Sequence, residues 1–105
     1  MTSQRIEEVE KPVVSILSLS VSLPGCRSLK EKRGRLAVIM NRLHKEFNLS
    51  VAEVGLQDSW QSALVGCALI SNDQRFNQQL LARVVTFIGN HFPDEPLLDH
   101  KVESV

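Results

Sequence analysis

Between Val13 and Leu23 apolar and polar residues alternate, with Leu17, Leu19, Val21 and Leu23 in one set and Ser18, Ser20 and Ser22 in the other. Successive side chains of an extended chain point to opposite faces, so this pattern predicts a strand with one buried face. Pro24-Gly25 breaks it. Ser28-Leu29-Lys30-Glu31 then has the spacing of a capping box, in which serine and glutamate satisfy free backbone N–H groups at a helix start. Down that helix Leu29, Leu36, Met40, Leu43 and Phe47 fall in one stripe, and Asn48 closes it. Leu49 to Leu56 alternates enough, despite Glu53, to predict a second strand. Gln57-Asp58-Ser59 reads as a turn, and the apolar run Ala63 to Ile70 as the hairpin partner. Ser71-Asn72-Asp73 supplies a second helix start, after which Phe76, Leu80, Val84, Phe87, Ile88 and His91 keep helical spacing until Pro93 and Pro96. Leu97 to Val105 is long enough for a last strand, made polar by Asp99, His100 and Lys101.

The order strand, helix, strand, strand, helix, strand is that of the α+β, ferredoxin-like βαββαβ sandwich, a four-stranded antiparallel sheet with two helices on one face. Residues 1–12, mixed in charge and without a period, read as a flexible N-terminal arm, and 13–105 as a single domain. In this topology three connections share one edge of the sheet: Pro24 to Ser28, the hairpin at Gln57 to Gln61, and Phe92 to Pro96.

A chain of 105 residues, 43% apolar and 23% charged, suits one globular domain with one core. The formal net charge is zero, so no overall field draws nucleic acid or an anionic membrane, and any basic surface must be local. No apolar stretch approaches the length of a membrane span, and the acidic N-terminus lacks a signal-peptide core, which implies a cytoplasmic protein. Cys26 and Cys67 lack the paired spacing of zinc or redox sites, and no two of His44, His91 and His100 lie three or four residues apart. Neither a metal nor a cofactor is expected. Ser-His-Asp or Cys-His combinations arise by chance among so many serines and do not by themselves indicate a catalytic site.

The chemistry-bearing feature is charge. Seven of the twelve Lys and Arg, namely Arg27, Lys30, Lys32, Arg33, Arg35, Arg42 and Lys45, fall between Arg27 and Lys45 against the single acid Glu31. That is a local excess of about six positive charges at neutral pH. At a helix start, where free amides already attract anions, Arg27, Lys30, Lys32, Arg33 and Arg35 are candidates for phosphate contacts with RNA. Spread around the helix, the same residues also fit an ordinary solvated face. Two further surfaces stand out. The Ala63 to Ile70 strand is apolar on both faces, so whichever of Val65, Cys67, Leu69 or Leu64, Ala68, Ile70 faces the helices, the other set needs cover, and a homodimer through that face is the expectation. Trp60, the only tryptophan, stands beside Asp58 and Gln61 at the hairpin, as a lid on the core or as a partner-docking patch near Arg27.

No aromatic stacking platform exists on the predicted central strands, which excludes an RNA-recognition-motif mode of binding. Acylphosphatases use the same fold with a first-loop arginine and a second-strand asparagine. Arg27 fits loosely, but no asparagine lies between Ser50 and Gln61, so no enzymatic activity is expected.

Pro24-Gly25-Cys26-Arg27-Ser28-Leu29-Lys30-Glu31-Lys32-Arg33, with Val51-Ala52-Glu53-Val54, Gln57-Asp58-Ser59-Trp60-Gln61 and Ser71-Asn72-Asp73, resembles the YlxP-like family of small bacterial proteins over about residues 13–95. The resemblance implies a ferredoxin-like fold. It also implies an accessory role linked to translation or ribosome maturation, because members are often encoded beside translation initiation and ribosome maturation factors. It implies no catalytic residue. The leading expectation is a non-enzymatic protein contacting RNA or a ribosomal particle through the basic helix start. The alternative is a homodimeric interaction module docking a partner at Asp58, Trp60 and Gln61.

Overall fold

The computed structural model describes Arg5 and residues 11–105, so the expected arm over residues 1–12 lies largely outside the described residues. Six elements follow the expected order: β1 (Val13–Ser22), α1 (Leu29–Glu46), β2 (Ser50–Gly55), β3 (Ser62–Ser71), α2 (Gln74–His91) and β4 (Leu97–Ser104). The strands form one antiparallel sheet in the order β2-β3-β1-β4, which is the ferredoxin-like arrangement. Among the described residues no helix is long and apolar enough to cross a membrane.

The alternation read from β1 governs the layering. Leu17, Leu19, Val21 and Leu23 are buried, as are Ala63, Val65, Cys67 and Leu69 on β3, and both sets pack under Leu36, Ile39 and Leu43 of α1 and Leu81, Val84 and Ile88 of α2. Val65, Cys67 and Leu69 therefore face the helices, which leaves Leu64, Ala68 and Ile70 on the open face of the sheet. β4 pairs with β1 along its length, yet only Leu97 is partly covered.

Both helices start at a cap. Ser28 Oγ accepts from the Glu31 N–H at 3.0 Å, while the Glu31 carboxylate accepts from the Arg27 N–H at 2.7 Å, one residue ahead of the usual partner in a capping box. Asp73 accepts from the N–H groups of Arg75 and Phe76 and begins α2. The helical stripes differ from expectation in their first turns. Phe76 is exposed, because the buried row of α2 runs through Asn77, Leu81, Val84 and Ile88. The buried row of α1 runs through Lys32, Leu36, Ile39 and Leu43. In each helix the position one turn ahead of the apolar row is therefore occupied by a buried polar side chain. Asn77 is fully satisfied there: its Nδ2 donates to Val13 O and Ser15 Oγ, and its Oδ1 accepts from Ser71 Oγ.

Candidate functional site

The three connections meet at one edge, as the topology requires. Leu23 N–H donates to Gln61 O, Ser22 N–H donates to Pro96 O, and Gln61 Nε2 approaches Cys26 O at 3.4 Å. The hairpin turn is closed by Ser59 N–H donating to Leu56 O, with Leu56 in the left-handed region at φ 56°. A branched side chain is unfavourable there, so the turn needs support from its surroundings.

Lys32 supplies that support. Its ammonium is 1% exposed and donates to Leu56 O and to Ser59 O, each at 2.7 Å, with Glu53 Oε2 3.0 Å away as an ion pair outside hydrogen-bond alignment. Lys32 was expected to meet RNA. It cannot, because its charge is buried beneath the hairpin and neutralised by Glu53. Arg35, one turn further on, is also committed. Its guanidinium donates to Pro24 O at 2.9 Å, to Asp94 O at 3.3 Å and to the Glu95 carboxylate at 3.0 Å. The hydrogen bond it donates to the Glu95 carboxylate raises its pKa further, against a smaller opposing effect of desolvation. Arg35 thereby ties the connection after β1 to that before β4, and it is not a phosphate ligand in this arrangement.

Arg42 pairs with Glu46 at 3.3 Å and lies 5.3 Å over the Phe87 ring. Each of the three ion pairs cancels one charge, so the excess of about six counted along the chain falls to about three. Arg27, Lys30 and Arg33 are exposed, and none takes part in an ion pair among the described residues. The helix N-terminus itself is partly filled by its own Ser28 and Glu31 caps.

The hairpin residues expected to dock a partner do lie together at this edge. Asp58 and Gln61 are exposed, Trp60 presents 52% of its surface, and Leu56 of the same hairpin presents 49%. The residues flanking Trp60 are both anchored, Ser59 through Lys32 and Gln61 through Leu23, so the indole projects from a fixed backbone. The partners of Lys32 and Arg35, namely Glu53, Glu95 and four carbonyl oxygens, escaped sequence reading, although the spacing from Lys32 to Leu36, Ile39 and Leu43 is the signal that aims Lys32 inward.

Nδ1 of His44 meets the carbonyl of Leu49, and Nδ1 of His91 that of Phe87. Cys26 and Cys67 are free and buried, and burial pushes the Cys67 thiol up to about 11. Among the described residues no cluster of three His, Cys, Asp or Glu could hold a metal ion.

Residues 14–101 match the family described as Protein of unknown function (DUF503). Over 67 residues, 64% of this chain and 72% of the relative, the sequence is 42% identical to the uncharacterized protein YlxP of Bacillus subtilis. A family match spanning this sheet and both helices, joined to that identity, shows that the chain belongs to the DUF503, YlxP-like family.

Proposed function

We propose that this protein is a non-enzymatic, cytoplasmic accessory protein that works by docking a partner protein at the Trp60 edge. The observation that carries the reading is an exposed tryptophan, with Leu56 exposed on the same hairpin, whose backbone is clamped from beneath by a buried lysine. Large aromatic side chains supply most of the binding energy at interfaces, and a pre-ordered anchor loses little entropy on association. Asp58 and Gln61 offer polar contacts around it. The test is capture of partners from extract of the source cell with tagged protein. A protein partner survives nuclease and high salt and is lost in Trp60→Ala; retention by Trp60→Ala refutes this reading.

A second reading has its own observation. Arg27, Lys30 and Arg33 remain exposed at the start of α1, on the same edge as Trp60, and they suit weak, salt-sensitive contact with RNA or a ribosomal particle, as the family resemblance implies. Binding that disappears with nuclease and loses its salt dependence in Lys30→Ala/Arg33→Ala supports it. Salt slopes identical to those of the native protein refute it.

A further inference from the structure

The open face of the sheet is the largest feature that the Trp60 edge leaves unexplained. Ile70 and Val54 are 63% and 61% exposed there, Leu64 37%, and a trough of about 270 Å³ runs between Ile16, Ala52, Val54, Gly66 and Ala68. Its floor is made of small residues: Val54 lies over Gly66, where a Cβ would come within 3.2 Å of its methyl group. Among the described residues, charge appears on this face only along β4, as Asp99, Lys101 and Glu103, because Glu53 of β2 is turned inward to Lys32.

We infer that this face packs against the same face of a second copy, around a two-fold axis lying in the interface across the row Val51, Cys67, Leu17 and Val102. Those four residues are in register across β2, β3, β1 and β4. Rotation about that axis runs each strand antiparallel to its equivalent and exchanges positions on either side of the row. Lys101 then meets Glu103 of the second copy, and Glu103 meets its Lys101, two opposite-charge pairs from one operation. Gly66 meets Ala68 of the second copy at the centre, where small side chains let the sheets approach. Leu64 meets Ile70 of the second copy at the two ends, where the large apolar groups stand. Shifting the axis by one residue along the strands, onto Gly66 or Ala68, sets Lys101 against Lys101 or Glu103 against Glu103. Charge therefore selects one register.

The size is sufficient for such a contact. Two strands of ten residues, one of eight and one of six, at about 3.3 Å per residue and about 4.8 Å apart, give a face on the order of 540 Å². That is about two thirds of the roughly 800 Å² per partner of a standard interface, the size of a small, reversible dimer contact. Aligned packing of two twisted sheets about 30° apart keeps the pairs nearest the axis in contact.

The experiment is the mass in solution of the full chain, by sedimentation equilibrium, for the native protein and for Lys101→Glu, Glu103→Lys, the double exchange and Ala68→Arg. The native protein should weigh twice 11.8 kDa. Each single charge reversal should weaken dimerisation by about tenfold or more, since every 1.4 kcal/mol of lost attraction is a factor of ten. The double exchange should restore it, and Ala68→Arg should give a monomer. The intrachain Lys101–Glu103 contact, 3.7 Å and largely solvated, adds little to folding, so the charge variants test the contact and not the fold. A native monomer at its highest soluble concentration overturns the inference. So does a dimer indifferent to charge reversal, whatever Ala68→Arg does.

Discussion

Replacing Lys32 by alanine is the most direct probe of the edge. The substitution leaves the Glu53 carboxylate, 18% exposed, without its cation and removes the donor of Ser59 O and one of the two donors of Leu56 O. Breaking a buried pair from one side costs about 3–5 kcal/mol. Glu53 retains some water, which places the expected loss near the low end, about 3 kcal/mol. Lys32→Met retains the packing of the stem and isolates the charge. Lys32→Met/Glu53→Gln removes both ions and should recover much of the loss, because two neutral groups carry a smaller desolvation penalty than one orphaned carboxylate. Urea unfolding followed by the fluorescence of Trp60, the only tryptophan, reads stability and the state of the hairpin together. A loss below about 1 kcal/mol for Lys32→Ala is the size expected of a surface cation. That result would refute the clamp and return Lys32 to the list of RNA contacts.

Arg35→Ala should release the connection before β4 from that after β1, and faster hydrogen exchange at the Ser22 N–H, which donates to Pro96 O, is the local readout; unchanged exchange refutes the tie. Asn77→Leu fits the space but strands Ser15, Ser71 and Val13 O in the interior, so denaturant unfolding should show a loss of about 2–3 kcal/mol. The Cys67 thiol, raised by burial from 9.0 to about 11, predicts a pH effect of definite sign. The unfolded chain releases this proton near pH 9 and the folded chain only near 11, so this contribution is complete below pH 9 and declines between 9 and 11, by on the order of 2 kcal/mol. With no tyrosine to titrate in that range, the stability difference between the native protein and Cys67→Ala, read from urea unfolding, should shrink from about pH 8 to about pH 10.5; a difference that does not change with pH refutes it.

The strand and helix order was readable from periods and turn signals, whereas the outward set on β3, apolar on both faces, is settled only by its pairing with β1, Leu17 opposite Cys67. The two buried polar positions were not read. Lys32 and Asn77 each sit four residues before a core leucine, Leu36 and Leu81, and the periodic stripe points straight at them. Residue type argued the other way, since an isolated lysine or asparagine is costly to bury. What reverses the cost is a set of acceptors or donors from distant segments: Leu56 O, Ser59 O and Glu53 for Lys32, Val13 O, Ser15 and Ser71 for Asn77. Those partners lie between 6 and 64 residues away along the chain. Local periodicity identifies a buried position but not the groups that make a polar residue tolerable there.

The same accounting changes what the basic start of α1 signifies. A fold that gathers three connections at one end of a sheet also gathers their carbonyl oxygens, and those shielded from water require donors. Leu56 and Ser59 present such oxygens, part-buried and met by Lys32, while Arg35 from the same helix meets the exposed oxygens of Pro24 and Asp94. Long cationic side chains are suited to this task because one head group reaches several acceptors at once, and Glu53 and Glu95 neutralise the charge left over. Part of a cluster that looks, by counting, like an anion-binding patch is thus required by the topology itself. Only cations beyond that requirement are available to a ligand, and at the start of α1 they are Arg27, Lys30 and Arg33. If the backbone account is right, removing those three together should leave the unfolding midpoint within about 0.5 kcal/mol of the native value, the range of ordinary surface substitutions. Removing Lys32 and Arg35 should not. A reversed order of effects in denaturant titrations would show that the charges are distributed for a ligand and that the carbonyls are satisfied some other way.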